Sequence, residues 1–250
     1  MKTNLAKLVC GLALLGAAFT MRLPAADING SLTTGPNYDV NLTSLGTEDW
    51  AIWGYADDGT STSLAPDVSM AGGSGISTLT YLDPNSQPLR GMGQFGINYQ
   101  FSWNNGDPVA SASGVWGGLQ ANSGAGPGLG VGEGFSFTVP ASTDEQELNV
   151  FVDEHLGVGQ LTATLSDNSA PAYIDSSIPV GDNSPGVYTI DYSAASPDQT
   201  LTVTWEETSY SSAYDNPAIY AATLSEVPEP SMLTLASLGG LSLLLFRRRK

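Results

Sequence analysis

From Gln94 to Trp103 the chain reads QFGINYQFSW, in which Phe95, Ile97, Tyr99, Phe101 and Trp103 alternate without a break with Gln94, Gly96, Asn98, Gln100 and Ser102. Successive side chains of a strand leave the backbone on opposite faces, so this spacing predicts a strand with one apolar and one polar face. The same grammar recurs at Phe135, Phe137 and Val139, at Leu148, Val150 and Val152, at Leu161, Ala163 and Leu165, and at Leu201, Val203 and Trp205. Ile76 to Leu82, Val187 to Tyr192 and Ile219 to Leu224 read as further strands. No stretch between residues 27 and 226 sustains a 3.6-residue apolar period, which argues against a helical core.

Turn formers separate these runs. Asn104-Asn105-Gly106-Asp107-Pro108 follows the first strand, because Asn-Gly readily takes positive φ, and a second strand is expected from there to Trp116. Asp57-Asp58-Gly59, Gly72-Gly73-Ser74-Gly75, Asp83-Pro84-Asn85, Asp182-Asn183-Ser184-Pro185-Gly186 and Ser196-Pro197-Asp198 punctuate the rest. Gly124 to Gly134 reads as one long loop and not as a linker, since the strands after it alone would make too small a sandwich. Roughly ten short strands spaced this way predict an all-β fold, an antiparallel β-sandwich of jelly-roll type.

The two ends are of another kind. Lys2 and Lys7 lead into an apolar run from Leu8 to Phe19, and Pro24-Ala25-Ala26 supplies small residues for cleavage, so residues 1–26 read as a secretory signal peptide. Cys10, the only cysteine, lies inside it. The exported body then rests on core packing and not on disulfides. At the other end Pro228-Glu229-Pro230 stops any regular element, because proline lacks an N–H and biases the residue before it toward extended backbone. Met232 to Phe246 is uncharged and is expected to form a short hydrophobic helix, and Arg247, Arg248, Arg249 and Lys250 act as a membrane stop that stays cytoplasmic. The apolar run is short against the roughly 20 residues that span a bilayer. An anchor that marginal points to processing. The expected organisation is therefore a signal peptide at 1–26, one β-sandwich domain at 27–226 and a sorting segment at 227–250.

Pro-Glu-Pro, a short apolar helix and an arginine cluster, in that order, resemble the PEP-CTERM sorting signal. The resemblance implies a Gram-negative bacterium that makes exopolysaccharide, and an exosortase that cuts near Pro228, Glu229 and Pro230. The implied partners are the exosortase, the inner membrane and, around the exported body, exopolysaccharide. The implied location is the cell envelope, the cell surface or the extracellular medium after processing.

Charge narrows the function further. The chain holds 25 acidic residues against 8 Lys and Arg, and among residues 27–226 Arg90 is the only Lys or Arg. Nucleic acid and anionic lipid are repelled by such a surface, because their recognition starts from clustered cations. Hard divalent cations are attracted to it.

Catalytic constellations are sparse. His155 is the only histidine, no G-x-S-x-G motif occurs, and zinc lacks its usual N and S ligands. A carboxylate pair for glycoside hydrolysis is available among so many acids, but chance alone supplies one. Calcium finds hard oxygen donors in or beside loops at Asp57, Asp58, Glu206 and Glu207, and also at Asp153-Glu154 and Asp215-Asn216, none with EF-hand spacing. These residues serve either as calcium ligands or as a solvated acidic surface. Among the five tryptophans, Trp103 and Trp205 fall on apolar strand faces and read as core. Trp50 and Trp53, three apart, point to opposite faces, so one and not both is expected to be buried. Trp116, before Gly117-Gly118, is the tryptophan placed best to stack on a ligand.

Gly46-Thr47-Glu48-Asp49-Trp50-Ala51-Ile52-Trp53-Gly54, Gly132 to Pro140, Leu161 to Leu165 and Leu201-Thr202-Val203-Thr204 are similar to galactose-binding-like and carbohydrate-module sandwiches of secreted bacterial proteins. That resemblance implies a non-catalytic module with no settled ligand, and it carries no binding residue with it. The expectation is an exported, non-enzymatic protein that works by display or adhesion. The alternatives are a carbohydrate-binding module with a specific sugar site and a glycoside hydrolase.

Overall fold

The computed structural model describes residues 25–35, 38–55, 61–92, 99–121, 130–211 and 214–227. Residues 1–24 of the expected signal peptide, Asp57 and Asp58, the first half of the Gln94–Trp103 run, most of the glycine-rich loop and the segment from Pro228 onward lie outside them.

In chain order the strands begin with β1 (Asp27–Thr34), β2 (Tyr38–Asn41), β3 (Asp49–Ile52), β4 (Val68–Met70), β5 (Thr80–Leu82) and β6 (Leu89–Gly91). They continue with β7 (Tyr99–Trp103), β8 (Gly106–Asp107), β9 (Ala112–Val115), β10 (Leu119–Ala121), β11 (Gly134–Ala141) and β12 (Gln146–His155). The last are β13 (Gly157–Leu165), β14 (Tyr173–Asp175), β15 (Ser184–Ser193), β16 (Gln199–Tyr210) and β17 (Asn216–Glu226). One helical turn, α1 (Leu42–Leu45), interrupts them, capped where the Asn41 side chain accepts from the Ser44 N–H at 3.1 Å. Among the described residues no helix is long and apolar enough to cross a membrane.

Three sheets result. The largest has nine strands in the order β1-β15-β12-β17-β3-β4-β8, with β10 joined to β17 and β6 joined to β10. A five-stranded sheet runs β14-β13-β16-β11-β5, and a three-stranded sheet runs β2-β7-β9. The large and the five-stranded sheet enclose the main core, in which Leu148, Val150, Val152 and Tyr188 meet Phe137, Leu161, Val203 and Trp205. Ring contacts cross this interface, Trp53 with Phe137 at 5.8 Å and Tyr188 with Trp205 at 5.9 Å.

The antiparallel sandwich is therefore present, but two features of the expectation need correction. The three-stranded sheet covers the outer face of the large sheet, building a second core from Trp50, Ile52, Phe151 and Tyr220 against Tyr99, Phe101 and Trp103. Within that third sheet β2 and β7 run parallel.

The third layer explains why both Trp50 and Trp53 are fully buried, against the expectation that only one would be. They do point to opposite faces, but each face of β3 has its own core: Trp53 lies in the first and Trp50 in the second, 5.5 Å from the Trp103 ring. Covered on both sides, β12 and β17 are buried almost without alternation. Strands exposed on one face keep the simple pattern, as β7, β13 and β16 do over most of their length.

The strand expected from the Asn104–Pro108 turn to Trp116 is confined to Ala112–Val115, and the one expected over Ile76 to Leu82 shortens to Thr80–Leu82. The first residues of the latter have other partners. The Asp49 carboxylate accepts from the N–H groups of Gly75 at 2.7 Å and Ile76 at 2.9 Å, and also from Trp50 N–H at 2.8 Å. Backbone donors taken up by a side chain are not available to a ladder.

A buried carboxylate cluster as the candidate functional site

Strand alternation separates adjacent acids. On β12, Glu154 shares a face with Val150 and Val152 toward the first core, whereas Asp153 faces the second core with Phe151. There Tyr220 Oη donates to Asp153 Oδ2 at 3.1 Å. On β16, Glu207 follows Trp205 and Val203 inward, while Glu206 is only half-buried. The expected Glu206-Glu207 pair is thus split between two faces, and only Glu207 enters the interior.

What replaces it is a group drawn from four separate places. Glu207 sits on β16 opposite Gly159, beside a bulge between Val158 and Gly159. Glu133 immediately precedes β11 and is strapped to Glu207 by backbone bonds, Glu207 N–H to Glu133 C=O at 2.9 Å and Gly132 N–H to Glu207 C=O at 2.7 Å. Glu154 comes from the end of β12 and Asp215 from the residue before β17, where His155 pairs with Asn216. The cluster therefore lies between the two main sheets at one end of the sandwich.

Glycines make the space for it. A Cβ on Gly157 would collide with the carboxylates of both Glu154 and Glu207, and one on Gly159 would meet Glu154 and the Trp205 ring. A Cβ on Gly130 would strike Glu207 Oε2 and lie 3.2 Å from the Asp215 carbonyl oxygen. Any side chain at these three positions would occupy the volume that the carboxylates fill.

Glu133, Glu154, Glu207 and Asp215 are each 0 % exposed, and none of their eight carboxylate oxygens has a hydrogen-bond partner. Burial pushes Glu154 well above the usual carboxylate range, with the charges of Asp153 and Asp215 adding to the effect. It pushes Glu207 up to about 10, helped by a hydrogen-bond-range approach to Asp215 and by the charges of Glu154 and Glu133. Two ionised carboxylates cannot donate to each other, so that approach needs a proton or a cation between them. Glu133 is raised to about 8 by burial, then by Asp83 and Asp215, and Asp153 to about 7 by burial alone, against the hydrogen bond from Tyr220. Glu133 and Glu207 sit under thin cover and Glu154 deeper.

Chemically, such a group holds protons or a hard cation. Among the described residues no three such side chains are already arranged as a formed metal-binding set. The carboxylates are gathered without being closed on one point.

The remaining sequence candidates lie elsewhere. Trp116 is half-exposed after β9, whereas Trp50, Trp53, Trp103 and Trp205 are all buried. His155 ends β12 half-exposed, with Nδ1 buried and without a partner. Arg90 is exposed on β6, so the one cation of the body does not reach the interior acids.

Of the four clustered acids, Glu154, Glu207 and Asp215 belong to the acidic pairs that the sequence offers as calcium donors, though as separate pairs and not as one group, and Glu133 does not. A signal existed, because Glu154 and Glu207 occupy the apolar parity of their strands. Glu133 and Asp215 precede their strands and carry no such mark.

Residues 226–250 match the family model of the PEP-CTERM protein-sorting motif. This motif marks a chain that is exported, processed by an exosortase and sorted to the cell envelope or surface. No curated protein matches the chain.

Proposed function

We propose that this is a non-enzymatic surface or extracellular-matrix protein, which its sorting segment delivers and whose β-sandwich works by display or adhesion within exopolysaccharide. The sorting motif at residues 226–250 carries the reading. It begins where β17 ends, with Val227 N–H still donating to Glu145 C=O at 3.0 Å. Because β17 lies between β12 and β3 in the large sheet, the tail is attached to the middle of the fold. Cutting near Pro228-Glu229-Pro230 would leave every strand pairing intact.

The test is intact-mass measurement and fractionation of the exported protein in strains with and without an active exosortase. Loss of Arg247 to Lys250 and recovery with the envelope or matrix are expected only with the enzyme. A body that keeps its basic tail, or that washes freely from the polymer, would overturn sorting or adhesion respectively.

A second reading, sugar binding, draws on two exposed aromatics near the carboxylate end. Tyr210 is 51 % and Tyr214 60 % exposed, the first ending β16 and the second one residue before Asp215. Exposed rings of this kind stack on sugars through their apolar faces. Glycan-array binding lost in Tyr210→Ala or Tyr214→Ala would favour this reading over simple display.

A further inference from the structure

We propose that Glu133, Glu154, Glu207 and Asp215 bind one divalent cation of the Ca²⁺ class, which ties the two main sheets together at that end of the sandwich. The proposal does not depend on how the tail is sorted.

Asp49 is also buried, yet three backbone N–H groups point at its oxygens. Where this fold buries a carboxylate for structural reasons alone, it supplies donors. At the other end it buries four and supplies none. Burying an unpaired charge is among the most costly arrangements a protein can adopt, so something must compensate.

The body cannot do so itself, since Arg90 is exposed on β6 and no other Lys or Arg lies between residues 27 and 226. Protons would neutralise the charges, but a protonated carboxyl becomes a donor that needs an acceptor. Glu207 and Asp215 can share one proton, but no donor or acceptor is in place for the oxygens of Glu133 and Glu154. One cation coordinated by all four would satisfy their oxygens together without any donor.

The donor set selects the ion. Four carboxylates offer only hard oxygens, and binding in pairs or singly they supply the six to eight that Ca²⁺ takes. Mg²⁺ gives up its water reluctantly and suits a site without solvent contact less well. Zinc would want nitrogen or sulfur. Four negative charges also exceed those of one divalent ion, so a trivalent lanthanide should bind more tightly still. The extended backbone contributes to the design: β12 and the approach to β17 supply two ligands from one sheet, and β16 and the approach to β11 supply two from the other. An ion held by both sheets binds the folded chain and not the unfolded one.

The exported protein, purified from its host and stripped with EDTA, is titrated with CaCl₂ and with MgCl₂ at matched ionic strength. Equilibrium dialysis should find one tightly held Ca²⁺, and the melting temperature should rise by roughly 5–10 °C at a hundredfold excess over the dissociation constant. Mg²⁺ should give much less. Glu154→Gln and Glu207→Gln should abolish the calcium-specific rise, and Glu206→Gln should keep it. Because the Trp205 ring and Glu154 meet over Gly159, bound Tb³⁺ should luminesce on tryptophan excitation. Most of that emission should disappear in Trp205→Phe while the calcium rise remains. This readout decides the matter even if a glutamine variant does not fold. Equal shifts with Ca²⁺ and Mg²⁺, no bound calcium, a full calcium rise in Glu154→Gln and Glu207→Gln, or Tb³⁺ emission indifferent to Trp205 would each overturn the proposal.

Discussion

Replacing Asp49 by alanine removes the acceptor of three backbone N–H groups in one step. Trp50 and Ile76 are buried and Gly75 is half-buried, so water cannot freely take over. A charge-assisted hydrogen bond contributes about 1.5–3 kcal/mol, and an orphaned buried donor costs about 1–3 kcal/mol. Allowing for partial relaxation around Gly75, the loss should be about 3–5 kcal/mol, a large share of the roughly 5–15 kcal/mol typical of a whole domain. For a domain of this size that corresponds to a fall of about 6–20 °C in melting temperature. Asp49→Asn keeps the shape and one acceptor oxygen but turns an N–H₂ toward one of the three donors, so it should cost about half as much. Urea unfolding followed by tryptophan fluorescence reports on this region directly, since Trp50 and Trp53 flank it in the two cores. Saturating calcium in every sample keeps the other end of the sandwich constant. If Asp49→Ala lies within about 1 kcal/mol of the parent, or if Asp49→Asn is as damaging as alanine, the carboxylate is not satisfying these donors as argued.

Three further outcomes are expected. In EDTA, stability should fall as pH rises from about 4.5 to 8: Glu133 and Glu207, raised to about 8 and about 10 in the folded chain, bind protons there more tightly than when unfolded, so their contribution is complete below the unfolded value and is lost as pH climbs through the folded ones. Melting curves of the stripped protein across that range check the sign, and a rise would show that those acids are not held as described. Gly159→Ala should lower stability by about 1–3 kcal/mol or more with or without calcium, because its Cβ has no free space between Trp205 and Glu154; unchanged thermal unfolding would mean that the site is looser than its geometry. Finally, with Arg90 the only Lys or Arg between residues 27 and 226, the carboxylates mostly repel one another, so NaCl should raise the melting temperature by screening them. A melting temperature indifferent to salt would count against a self-repelling body.

Period-two alternation was enough to assign the inward face of β7, with Tyr99, Phe101 and Trp103, and those of β11, β13 and β16, because which way a strand side chain points is settled by its immediate neighbours in the chain. The sorting segment was legible for a similar reason, as its three parts stand next to one another in order. Local pattern says which residues share a face, but not what lies over it. Trp50 and Trp53 were assigned correctly to opposite sides of β3, and only the third sheet, brought over by the pairing of β2 with β7, buried both. The carboxylate cluster is the extreme case. Glu133, Glu154, Glu207 and Asp215 are distant in the chain and become neighbours through the registers of β12 with β17 and of β13 with β16, together with the backbone strap between Glu133 and Glu207. Two of them betray themselves by standing where an apolar residue belongs. That they face one another, without a donor among them, is a property of the packed sheets alone, since charges so far apart in sequence interact only after tertiary structure has removed the water between them.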